Sequence, residues 1–91
     1  MNEAPTLRIE GPVTLVTYTR LRAALDAHLA AGGRVIDWSG SAAVDSSALS
    51  LILHGQRQGG ALEHRALPPA LDALAALYGV GELLAGRARD G

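Results

Sequence analysis

A single α/β domain, with a four-stranded mixed sheet and helices packed on one side, is the fold this sequence predicts. Three observations predict it: the chain length, apolar alternation interleaved with helical stripes, and Gly or Pro at the element ends. Ninety-one residues allow one compact domain. A chain of this size buries only about 60–65% of the surface its unfolded form exposes, so nearly every large apolar side chain is needed for the core. Apolar residues make up 48% of the chain, but 17 of them are Ala, leaving 24 Leu, Ile, Val and Met side chains with real packing volume. That fills two layers without a deep pocket, which argues against a large-cavity enzyme.

The elements follow in the order β-β-α-β-α-β-α. Apolar residues alternate in Thr6-Leu7-Arg8-Ile9-Glu10 and again in Val13-Thr14-Leu15-Val16-Thr17, and Gly11-Pro12 between them predicts a hairpin turn. Leu21, Leu25 and Leu29, joined by Ala24 and His28, mark a helix that Thr17 or Thr19 starts and Gly32-Gly33 stops. Arg34-Val35-Ile36-Asp37-Trp38 shows little polar alternation and suits the middle of a sheet. Asp45-Ser46-Ser47 introduces a second helix from Ala48 to about Arg57, with Leu49, Ile52, Leu53 and Gln56 facing inward and Gly59-Gly60 at its end. A fourth strand is expected within 61–67, interrupted by Glu63, His64 and Arg65. Pro68-Pro69 opens the last helix, whose stripe is Leu71, Leu74, Leu77 and Tyr78, with Gly79 as C-cap. Val80, Leu83 and Leu84 form a short apolar tail. The domain is expected over residues 6–85, between an N-terminal tail at 1–5 and a C-terminal tail at 86–91. Strands joined through helices imply parallel pairing for the later strands.

Composition excludes several classes of function. Eight cationic residues, all Arg, oppose nine acidic ones for a net charge of −1, without the basic cluster that nucleic-acid binding needs. Without Cys there is no disulfide framework, thiolate–zinc site or cysteine nucleophile. No apolar run approaches the roughly 20 residues of a membrane span. The first residues lack the basic start and apolar run of a signal peptide, so a cytoplasmic protein with no direct membrane insertion is expected.

The stretch Ala43-Val44-Asp45-Ser46-Ser47-Ala48-Leu49-Ser50 carries the most information. It follows a central strand and places two hydroxyls at a helix start, where unpaired amides and the helix dipole favour polar or anionic groups. Locally, Asp45 or Ser46 reads as an N-cap. The element order, the strand Val35-Ile36-Asp37-Trp38-Ser39 and the turn Val44-Asp45-Ser46-Ser47-Ala48-Leu49 together resemble a STAS domain, the fold of bacterial anti-sigma-factor antagonists. The likeness covers about residues 6–85.

Two branches of that family are at issue. Antagonists usually carry D-S-S/T-G-L-G, whose hydroxyl directly after Asp is phosphorylated by a partner serine kinase; here that position is Ser46. Ala48 and Ser50 stand where that pattern has Gly. The other branch is the small STAS subunit of the Mla-type phospholipid-transport ABC complex. The chain is similar to it in the hydroxyl after Asp45, the small non-Gly Ser50, the run Leu51-Ile52-Leu53-His54, and Leu77-Tyr78 before an apolar tail. This resemblance implies a non-enzymatic protein without cofactors. It would bind and regulate the ABC transporter ATPase subunit, peripheral to an inner-membrane complex, through Asp45, Ser46, Ser47, Ser50 and His54. The alternative it implies is an antagonist phosphorylated at Ser46 by an anti-sigma-factor kinase.

Other constellations are set aside. Ser46, His54 and Asp37 or Asp45 supply the residue types of a triad, but G-x-S-x-G is missing. His28, His54 and His64 lack paired metal spacing, with His54 expected to be partly buried and the other two on the surface. No phosphate-binding loop occurs, and Trp38 is expected in or beside the core, where its indole N–H needs a partner.

Overall fold

The computed structural model describes residues 5–41 and 43–79. Three strands, β1 (Thr6–Glu10), β2 (Val35–Gly40) and β3 (Glu63–Arg65), alternate with three helices, α1 (Tyr18–Ala30), α2 (Ser46–Gly59) and α3 (Pro69–Leu77). The sheet is parallel throughout, in the order β1-β2-β3, so β2 is central as its apolar sequence predicts. Leu7 lies opposite Ile36, and Ile36 opposite His64. Residues in register share a face. Leu7, Ile9, Ile36, Trp38 and His64 therefore line one side, while Arg8, Asp37, Glu63 and Arg65 line the other. On the apolar side, Ile9, Ile36 and Trp38 join one core cluster with Leu21 and Leu25 of α1, Ala48, Leu49, Leu51 and Ile52 of α2, and Leu71 and Ala75 of α3.

The expected second strand, at 13–17, and its hairpin do not form among the described residues, whereas the strand expected within 61–67 does, as β3. Gly11 adopts φ +76°, but the chain does not reverse. Gly11 N donates to Gly40 O at 3.0 Å and Val13 N to Ala43 O at 2.9 Å, so β1 runs on beside the end of β2. Val13 makes an isolated parallel bridge to Val44. The next residues turn instead, because the Thr17 hydroxyl competes for the backbone. Thr17 Oγ1 accepts from Thr14 N at 3.0 Å and donates to Pro12 O at 2.9 Å.

α1 buries Leu21 and Leu25, one turn apart, and packs against α2. Gly55 permits that approach: a Cβ there would lie 2.9 Å from Leu25 Cδ2 and 3.0 Å from Leu62 Cδ1. The inner face of α2 is Ala48, Leu49, Leu51, Ile52 and Gly55; Leu53 is half-buried, and Gln56, expected inward, is exposed. In α3 only Leu71 and Ala75 are buried, with Leu74 against the core. Leu77 and Tyr78, expected in the stripe, are 76% and 58% exposed, because the helix ends at Leu77 before its third turn reaches the core. Gly79, at φ +70°, follows as the expected stop. Val80, Leu83 and Leu84, the whole expected C-terminal tail at 86–91 and residues 1–4 of the N-terminal tail lie outside the described residues. No helix among the described residues is long and apolar enough to cross a membrane.

Candidate functional site

The β2–α2 junction is built around one carboxylate. Asp45 is the N-cap of α2, in extended backbone, and its Oδ1 accepts from Ser47 N at 2.7 Å. Its Oδ2 accepts from Leu15 N at 3.3 Å, tying the Thr14–Val16 turn to the helix start. The Ser47 amide, helped by the Ser47 hydroxyl and the Leu15 amide, holds the Asp45 carboxyl below the usual carboxylate range. With capping done by Asp45, Ser46 is left over. It is exposed at the first helical position, and no described residue bonds its hydroxyl. Ser47 is half-buried beneath the cap, and Ser50 is exposed one turn beyond Ser46.

Ser46, Ser50 and His54 follow one another at four-residue spacing along one side of α2. His54 is half-buried and bridges to α1, its Nε2 lying 2.6 Å from Asp26 Oδ1. The arrangement brings Asp45, Ser46 and Ser47 together with Ser50, and turns His54 toward the neighbouring helix. No triad results. About 12 Å of helix rise separates Ser46 from His54, and Asp37 lies on the opposite face of the sheet. There the Ser39 amide, then its hydroxyl, with Arg8 and Arg65 nearby, hold the Asp37 carboxyl low.

Two histidines differ from expectation. His64 is 4% exposed, and its Nδ1 accepts the indole N–H of Trp38 at 3.1 Å. Burial lowers its pKa to about 4, so the ring is neutral with its proton on Nε2. This is the partner that the buried indole requires. His28 is half-buried, its Nε2 lying 3.0 Å from Val35 O, while the ring covers Gly33, where a Cβ would collide with it. Leu15 and Val16, expected within a strand, lie instead in the turn that the Asp45 carboxylate ties to α2. They stand 79% and 92% exposed beside the Asp45 cap.

The geometry defines a two-layer α/β domain with an open helix start, the architecture of anti-sigma-factor antagonists. It resembles the structure of the anti-sigma factor antagonist SpoIIAA in its unphosphorylated form, with a TM-score of 0.59 and 20% identity over 85% of this chain and 78% of that one. At that identity the likeness establishes the fold. The family model described as "Mlab, STAS domain" matches residues 1–85, and the chain belongs to this MlaB-like STAS family. No curated protein matches it.

Proposed function

We propose that this domain works by binding a partner protein, and that the start of α2 docks on the ATPase subunit of a Mla-type phospholipid-transport ABC complex and regulates it. The carrying observation is the division of labour at the junction: Asp45 caps the helix, and Ser46 presents an unbonded hydroxyl to solvent. A serine needed only for capping would be turned inward on the amides. Ser50 extends the small, polar strip that a partner backbone approaches closely, with His54 at its far end against α1. The MlaB-like family supports the choice of an ATPase as the partner. In this reading the protein transforms no substrate and acts at the cytoplasmic face of the inner membrane.

One observation favours a second reading. The free Ser46 hydroxyl sits where a kinase reaches it, and phosphate there would add about −1.5 to −2 charges at a helix N-terminus, where the dipole accommodates them. Such a switch would release a partner built for a neutral hydroxyl, as in an anti-sigma-factor antagonist.

The test is co-purification and titration of the ATPase subunit with Ser46→Glu. The variant is expected to fold and to lose most of its affinity; unchanged affinity would overturn the docking reading. Incubation with the partner serine kinase and ATP, followed by mass spectrometry at Ser46, tests the second.

A further inference from the structure

We infer that the cleft between α1 and α2 is a second, charged part of the docking surface, in which Arg22 and Arg34 hold carboxylates of an acidic segment of the ATPase subunit. The inference rests on the docking reading for the partner, and adds a contact that the helix start does not contain.

The cleft has a volume of about 340 Å³ and is open to solvent. Arg22, Asp26 and Leu29 line it from α1, His54 and Gln58 from α2, and Arg34 from the link into β2. Arg22 and Asp26 stand one turn apart, the spacing of an ion pair on a helix surface. That pair is not made: Asp26 Oδ1 lies instead 2.6 Å from His54 Nε2, across the cleft. Among the described residues, no carboxylate is within ion-pair distance of Arg22 or Arg34. Arg34 donates from Nη1 to Gly33 O at 2.6 Å and Leu29 O at 3.4 Å, which fixes its guanidinium at the end of α1 and leaves Nε and Nη2 for a ligand. On the far face of the sheet, by contrast, Arg8 and Arg65 each have a carboxylate partner, Glu10 and Glu63.

Position and charge select the occupant. Ser46, Ser50, His54 and Gln58 form one ridge of α2 at four-residue spacing, about 18 Å from end to end. The cleft therefore continues the strip that begins at the helix start. A specific interface covers about 800 Å² on each partner, wide enough to take in both ends of that ridge. Residues 11–36 and 44–62, the two helices with their flanking turns, contain Arg20, Arg22, Arg34 and Arg57 against Asp26 and Asp45. This layer is thus net positive in a chain whose total is −1, and both of its carboxylates are already hydrogen-bonded within the domain. An acidic protein surface complements it, and the planar guanidinium matches a carboxylate in shape as well as charge. A lipid surface or a nucleic-acid backbone calls for an unbroken cationic cluster. Here Asp26 interrupts, lying between Arg22 and the end of α1 where Arg34 stands.

The experiment uses the absence of Lys from the chain. Arg22→Lys keeps the charge and introduces a side-chain amine, which a water-soluble carbodiimide joins, as an amide, to a carboxylate touching it. With the purified ATPase subunit, a cross-link is expected that mass spectrometry maps from position 22 to an Asp or Glu of the subunit. Arg57→Lys, outside the cleft, is expected to give none. In parallel titrations Arg22→Glu should keep wild-type thermal unfolding, because Arg22 is exposed, and lose at least about tenfold in affinity, chiefly in association rate. No cross-link from position 22 in a complex that forms, wild-type affinity in Arg22→Glu, or equal cross-linking from position 57 overturns the inference; a deficient Ser46→Glu then leaves the helix-start reading standing. The expected cross-link and loss, with Ser46→Glu binding normally, uphold the inference and overturn that reading. Failure of the wild type to bind the subunit overturns both. Saturable calorimetric binding of inorganic phosphate, sedimentation with phosphatidylglycerol vesicles, or a dimer in analytical ultracentrifugation, if abolished by Arg22→Glu, gives the cleft to another occupant and overturns the inference alone.

Discussion

Two polar sites lie at opposite ends of the accessibility scale in this domain. At the base of the core, Trp38 and His64 satisfy one another where solvent does not reach: the indole donates, the imidazole accepts, and both rings are almost wholly buried. At the head of α2, Asp45 is also satisfied, but its neighbour Ser46 is not. The first arrangement makes the polar atoms part of the packing, so altering them costs stability. The second finishes the structural task with one residue and leaves the next free for an outside contact. The contrast separates polar groups that hold this fold from those that it displays.

The sharpest way to break that comparison is to truncate the core itself. Leu71→Ala, at a fully buried position, is expected to lose about 2–5 kcal/mol, read as a shift in the urea unfolding midpoint by circular dichroism. A loss near zero would mean that α3 does not close the core.

Acid offers the next largest effect. His64 has a folded-state pKa of about 4, below the ordinary 6.5, so between these values the unfolded chain binds the extra proton. Its contribution is fully present above about pH 6.5 and is lost as pH falls toward 4, amounting to roughly 3 kcal/mol. Urea midpoints at pH 7.5, 5.5 and 4.5 should fall in that order. In His64→Leu the part of the slope due to this group should vanish, although the indole left without an acceptor lowers stability at every pH.

Asp45→Ala removes a cap and the tie to Leu15, and should cost about 0.5–2 kcal/mol, measured by the same denaturation. Ser46→Glu completes the series. Its stability should stay within about 0.5 kcal/mol of wild type, because a carboxylate in the first turn suits the helix dipole. Denaturation losses as large as those of Asp45→Ala would erase the distinction between the two neighbours.

How much of this was legible in sequence differs along the chain. Leu21 and Leu25, Leu49 and Ile52, and the apolar run of β2 all serve the core as their spacing predicts. The Asp45–Ser47 junction was also readable, because a capping residue followed by hydroxyls has few local alternatives. The segment after Val13 was misread since apolar alternation ignores side chains that bond their own backbone; Thr17 closes a turn where a strand pattern was visible. His64 was misplaced for a related reason. Glu63, His64 and Arg65 looked like an interruption, yet Leu62 and His64 are both buried while Arg65 is exposed. The inward position of a period-two strand, together with a tryptophan in want of an acceptor, was the overlooked signal. Leu77 and Tyr78 kept helical spacing past the point where helix and core part company.

The chain's sole tryptophan is the one that His64 engages in the dry interior. Its fluorescence should therefore emit toward the blue and shift red only when the domain opens. An unmodified sample thus carries its own optical gauge of unfolding.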